Sequence, residues 1–137
     1  MNMIRNITNV RGIKCWGAHT GVKSMRRDLA LMYSEVPAKV SSVFTQNQVV
    51  AEPIKLTRMH LEESDNQAQV IVVNAGNANA VTGEQGAEGA LAMAKTAAEE
   101  FKVDLNKVMV ASTGIIGVKF PTEAVVEGIK ENVKKNQ

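Results

Sequence analysis

One cysteine, Cys15, occurs in 137 residues. No internal disulfide can form, and cysteine usage gives no sign of an oxidising compartment. A lone thiol outside any motif reads as a small buried hydrophobe rather than a nucleophile. There are two histidines. His19 has no Cys, Asp or second His at metal-ligand spacing, and His60 falls on a short, partly exposed helical stretch and reads as structural. No metal or cofactor is therefore expected. Aromatics are 4% of the chain against 45% hydrophobic residues, so the core must be aliphatic and methionine-rich. The formal charge is only +2, from 16 basic and 14 acidic residues, which argues against a dedicated nucleic-acid surface. Local basic runs at Lys23, Arg26 and Arg27, and at Lys130, Lys134 and Lys135, read as solvated faces. No apolar run approaches the roughly 20 residues that span a membrane. The N-terminus has no signal-peptide pattern, so the expected location is the cytoplasm.

The length suits one domain over residues 1–137. Ile13, Cys15 and Trp16 form an early strand candidate. Asp28 to Ser34 reads as a second strand, ended by Val36-Pro37, because proline donates no ladder bond and restricts the residue before it. Ser42 to Thr45 is a further strand candidate, with Val49-Val50 close behind, and antiparallel pairing is expected. Thr57 to Glu63 reads as a short helix capped by Thr57. The β-branched run Val70 to Val73 is the clearest strand, buried on both faces. Three asparagines follow in Asn74 to Ala80. Asparagine tolerates left-handed backbone and bonds turn amides, so the loop reads as structural support for neighbouring strands. Thr82 and Gln85 fit a capping box for a helix running to Phe101. Its apolar face carries Ala87, Ala90, Leu91, Ala94, Ala98 and Phe101. A last helix follows Pro121, with Val125, Val126, Ile129 and Val133 inward and lysines at its end. The order predicts an α/β sandwich or layered fold: a mixed sheet with helices packed on it.

Between those helices lies Lys107-Val108-Met109-Val110-Ala111-Ser112-Thr113-Gly114-Ile115-Ile116-Gly117. An apolar run breaks into Ser-Thr-Gly. Gly114 has no Cβ, so backbone amides there can face a ligand. A Thr113 hydroxyl beside a Gly114 amide makes a donor pair able to hold a carbonyl oxygen as it becomes an oxyanion. A strand closing in a tight turn is the plainer reading of the same residues. If this strand and Val70–Val73 are neighbours, both special loops share one end of the sheet, and that end is the expected site.

Several stretches together resemble the bifunctional glutamate N-acetyltransferase/ornithine acetyltransferase family of arginine biosynthesis. They are Val73 to Ala80, Thr82 to Gly86 and Val110 to Gly117, with Asp28 to Leu31, Val43 to Asn47 and Ala51 to Pro53 earlier. The resemblance spans about residues 10–130, in the family's order. It implies a precursor that cuts itself before a threonine. That threonine then begins a downstream β chain and serves as nucleophile. It takes acetyl from N-acetylornithine and passes it to glutamate. The α chain supplies the oxyanion hole at the positions matched by Thr113 and Gly114. An αβ heterodimer that pairs further into a heterotetramer is implied. The self-cleavage segment would lie beyond Gln137. The chain is therefore expected to be an incomplete α chain, inactive alone and in need of the downstream β chain. Ser41-Ser42 stand where the family has small apolar residues and glycine. A small nucleotide- or phosphate-binding α/β module is the competing reading, since two Gly-containing loops each precede a helix. Against it, neither GxGxxG nor GxxxxGK[ST] is present. A non-catalytic binding descendant of the family is the third.

Overall fold

The computed structural model describes residues 7–136. Its elements run β1 (Ile13–Ala18), β2 (Leu29–Lys39), α1 (Glu52–Glu63), β3 (Gln67–Asn77), α2 (Gly83–Phe101), β4 (Val108–Ile115) and α3 (Thr122–Asn136), with short 3-10 turns at Ile7–Asn9 and Leu105–Lys107. The strands lie in the order β1-β2-β3-β4. β1–β2 and β2–β3 are antiparallel, and β3–β4 is parallel. The mixed α/β sheet is the architecture expected from the sequence.

One face of the sheet carries Leu29, Leu31, Val70, Val72, Val108 and Val110, all buried against Met93, Ala94 and Ala97 of α2 and Val125, Ile129 and Val133 of α3. Alanines on α2 let its backbone lie close to the sheet. The few aromatics cluster at one edge of this core, where Phe101 stacks on Tyr33 at 4.9 Å and meets Trp16 at 5.6 Å. Among the described residues the opposite face has no helix layer of this kind, only the small Leu61–Ala68–Met109 cluster with Val40, Phe44 and Ile71 at one end. Cys15, Ala30, Met32, Ile71 and Val73 line a shallow apolar recess of about 320 Å³ there. Cys15 is half-buried, and burial pushes its thiol up, away from the reactive thiolate.

Four local expectations fail. β2 does not end before Pro37 but continues to Lys39, because the ladder with β3 shifts register between Tyr33 and Ala38 and leaves the proline unpaired in that gap. Ser42 to Thr45 is no strand: residues 40–50 are irregular and Val43 is almost wholly exposed. Phe44 of that segment still packs on the Leu61–Met109 cluster, under the Arg58 guanidinium. α1 begins at Glu52, with Pro53 in its first turn, so Thr57 lies mid-helix and caps nothing. Thr82 precedes α2 but makes no side-chain cap bond; its hydroxyl donates to Asn79 Oδ1 at 2.7 Å. Gln85 turns instead to the backbone of Phe120, donating to its carbonyl at 2.9 Å and accepting from its amide at 3.0 Å.

Gly128 weakens an exposed helix by about 1 kcal/mol relative to alanine. Here it faces Thr20, and a Cβ would collide with the Thr20 methyl. The glycine lets α3 close on the loop between β1 and β2.

Candidate functional site

β3 and β4 are parallel neighbours, with Asn74 opposite Ser112, Ala75 opposite Thr113 and Gly76 opposite Gly114. Both special stretches therefore lie at one end of the sheet. They are strand for longer than the sequence signals: β3 runs to Asn77 and β4 to Ile115, so Thr113 and Gly114 sit in the strand's last turns of pleat rather than in a loop. Gly114 has φ +136 and Gly76 φ +122. A Cβ on Gly114 would strike the backbone of Gly76 and Asn77. Only glycine permits this approach.

β4 is the sheet's edge, and its backbone alternates between β3 and the outside. The Val108 carbonyl bonds His60 Nδ1 at 2.8 Å. Thr57 Oγ1 donates to the Val110 carbonyl at 2.8 Å and accepts from the Val110 amide at 3.0 Å. Val108 and Val110 thus present their peptide groups outward, to α1. The Ile115 carbonyl turns the other way and accepts from the Ala78 amide at 2.9 Å. By this alternation the Gly114 amide belongs to the outward set, beyond the Thr57 bonds at Val110. Thr113 and Gly114 are both exposed. With Val22, Lys23, Ser24, Met25, Arg26, Gly76 and Ile115 they line a groove of about 680 Å³.

The groove's far wall is the loop between β1 and β2, and Asp28 holds it. This carboxylate is buried, accepting from the Thr20 amide at 2.6 Å, the Thr20 hydroxyl at 3.0 Å and the Lys23 amide at 2.9 Å. Burial pushes its pKa up, but those donors and nearby His19 outweigh it and hold the carboxyl below its ordinary value. His19 is exposed; its Nδ1 lies 2.9 Å from the Arg26 carbonyl and 3.3 Å from Asp28. Both contacts lie within the loop. Among the described residues no cluster of His, Cys, Asp and Glu could hold a metal ion.

The asparagines do pin this end of the sheet. Asn74 Nδ2 donates to the Asn77 carbonyl at 2.8 Å. Asn77 Nδ2 donates to the carbonyls of Val118 and Lys119, at 3.1 and 3.0 Å, and so anchors the turn after β4. Asn79, with φ +49, donates from Nδ2 to the Gly86 carbonyl at 2.8 Å, fastening the loop to α2.

His60 is structural as expected, but it is buried rather than partly exposed. Sequence reading missed Thr57 as a β4 partner and the 20–28 loop as a wall of the groove. Both act across distances in the chain that no local pattern encodes. Asp28, a charged residue heading an apolar run, was the one available signal.

Fold and geometry together define a layered α/β protein with a shallow groove at the carboxyl ends of two parallel strands, lined by a threonine and a glycine. The chain belongs to the ArgJ family, whose family model matches residues 14–137. It is 44% identical over 128 residues to the arginine biosynthesis bifunctional protein ArgJ of Shouchella clausii, covering 93% of this chain and 31% of that protein. It is 46% identical over 120 residues to the protein of the same name from Caldanaerobacter subterraneus, covering 88% of this chain and 29% of the other. The chain thus spans about a third of the length of these relatives. The crystal structure of ArgJ from Bacillus halodurans superposes with a TM-score of 0.88 at 38% identity, over 91% of this chain and 65% of that one. The ornithine acetyltransferase of Mycobacterium tuberculosis, complexed with ornithine, superposes with a TM-score of 0.84 at 31% identity, over 91% and 67%. No helix among the described residues is long and apolar enough to cross a membrane.

Proposed function

We propose that residues 1–137 are the N-terminal α-chain portion of an acetyltransferase that moves acetyl from N-acetylornithine to glutamate in arginine biosynthesis. A threonine at the start of a downstream β chain attacks the acetyl carbonyl. Thr113 Oγ1 and the Gly114 amide hold the oxygen as it gains charge. The C–N bond breaks, and ornithine leaves with the proton. The glutamate amine then attacks the acetyl-threonine ester and releases the threonine hydroxyl. The terminal amine of the β chain serves as its own threonine's base. Oxyanion donors of this kind lower a barrier by about 2.7–4 kcal/mol each.

The observation that carries this reading is the exposed Thr113–Gly114 pair on the uncovered end of β4, in a groove. Two further features support a missing partner. Ile115 and Ile116, beside the pair, are 64% and 65% exposed, and among the described residues no helix packs over Ala30, Met32 and Val73 on the sheet's other face. The ornithine complex of a relative supports an amino-acid ligand.

The test is reconstitution. The chain is co-expressed with the remaining α-chain residues and a β chain beginning at its threonine, and acetyl transfer from N-acetylornithine to glutamate is followed. Parallel lines in double-reciprocal plots are expected, as for a covalent intermediate. A complex without transfer would favour a binding descendant. Calorimetric titration with ATP or NAD showing tight binding would replace the reading with a nucleotide module.

A further inference from the structure

Asn74 and Ser112 stand opposite one another on β3 and β4. Their side chains share the sheet face of Val70, Val72, Val108 and Val110, the face covered by α2 and α3. Asn74 is fully buried. Its Oδ1 and the Ser112 Oγ are both buried, and neither has a hydrogen-bond partner in the protein. Two such orphans on adjacent strands are not independent. Each alone would cost about 1–3 kcal/mol if left unsatisfied. They do not bond each other directly. Asn74 Nδ2 is committed to the Asn77 carbonyl. Turning the amide toward Ser112 would break that bond, and flipping it would set Oδ1 against the Asn77 carbonyl oxygen. The Ser112 hydroxyl can both donate and accept, whereas Asn74 Oδ1 can only accept.

We propose that Asn74 and Ser112 are a positioning pair that binds one buried water between β3 and β4, one residue before the oxyanion donors. The water donates one hydrogen to Asn74 Oδ1 and exchanges its second bond with Ser112 Oγ, the minimum of two polar partners that an internal water needs. Asn74 is already fastened to Asn77, and Asn77 to the turn after β4. The water closes this chain of bonds back onto β4 itself. It fixes Ser112 and thereby the direction of the Thr113 hydroxyl and the Gly114 amide. The α1 side-chain bonds to β4 are made at Val108 and Val110, and the bridge supplies at Ser112 the restraint that Thr57 and His60 supply further back. The water site stands on two buried, unpartnered oxygens on paired residues; its catalytic consequence rests on the acyl-transfer reading.

The wild-type chain decides the site directly. A high-resolution crystal structure should show a water within about 3.2 Å of both Asn74 Oδ1 and Ser112 Oγ. A direct bond between the two side chains, or no density between them, would overturn it. Amide hydrogen exchange on Ser112→Ala gives the second reading. Exchange at Thr113 to Ile115 should quicken about tenfold while Val70 to Val72 keep their protection. Uniform quickening, or none, would contradict a local restraint. In the reconstituted enzyme Ser112→Ala should lower kcat about tenfold, or about 1.4 kcal/mol, with KM unchanged. An equal change in KM would contradict positioning. If the wild type transfers no acetyl, the acyl reading fails, and the crystal and exchange results still decide the water. If Ser112→Ala does not fold, the wild-type crystal still decides.

Discussion

The two halves of β4 differ in what meets their outer edge. Val108, Met109 and Val110 are buried, and the edge beside them is taken by His60 and Thr57 of α1. Thr113 and Gly114 are exposed, and the α1 side-chain bonds to β4 fall further back, at Val108 and Val110. One strand is thus a structural member at its start and an open row of donors at its end. An edge strand with free peptide groups invites pairing with another chain. Here α1 covers the edge only as far as the fold needs. The uncovered peptide groups are the ones proposed to meet substrate.

Gly114→Ala breaks the contrast most severely, since the new Cβ meets Gly76 and the backbone sits at φ +136. The loss should exceed the about 1–3 kcal/mol that strained backbone alone costs, read from urea unfolding. A variant as stable as wild type would mean the strands can part without penalty. Thr57→Val sharpens the other half. It removes the hydroxyl that serves both Val110 backbone groups, and about 1–3 kcal/mol of stability should go with it. Measured stability within error of wild type would show that water replaces the hydroxyl and that α1 does not secure this edge.

Acid tests the groove's far wall. The Asp28 carboxyl is lowered in the folded protein. Its stabilisation is therefore fully present above the unfolded value of about 3.9 and is lost as pH falls through the lower folded value. Unfolding free energy should drop more steeply on the acid side in wild type than in Asp28→Asn. Parallel curves would remove Asp28 as the anchor of the loop. Thr113→Ala should have the smallest effect on folding, within about 0.5 kcal/mol, because the side chain is exposed and packs on nothing the fold depends on.

Local sequence pattern carried the sheet, α2 and α3, because period and composition follow burial, as at Val125, Ile129 and Val133; Val70–Val73 is a strand as read, but it is buried on one face rather than both, with Ile71 and Val73 half-buried. The pattern failed where backbone pairing overrides side-chain signal. Asn74 to Asn77 looks like a loop, yet it is strand because Gly76 can lie against Gly114. Pro37 looks like a stop, yet a register shift carries β2 past it. Gln85 fits a capping box, yet the Phe120 backbone claims its amide. Thr113 and Gly114 stand out in the sequence as a Thr-Gly break after an apolar run, and they do line one groove. The loop that faces them, and the α1 bonds further back at Val108 and Val110, depend on pairings between distant segments of the chain.

The most direct measurement sets Thr113→Ala beside Thr57→Val in the reconstituted enzyme, recording unfolding midpoint and kcat for each. Thr113→Ala is expected to keep its midpoint and lose about 10²–10³ in kcat, while Thr57→Val loses midpoint first. Thr113→Ala with undiminished kcat, or with activity and midpoint falling together, would contradict the division of β4 into a structural half and a chemical one.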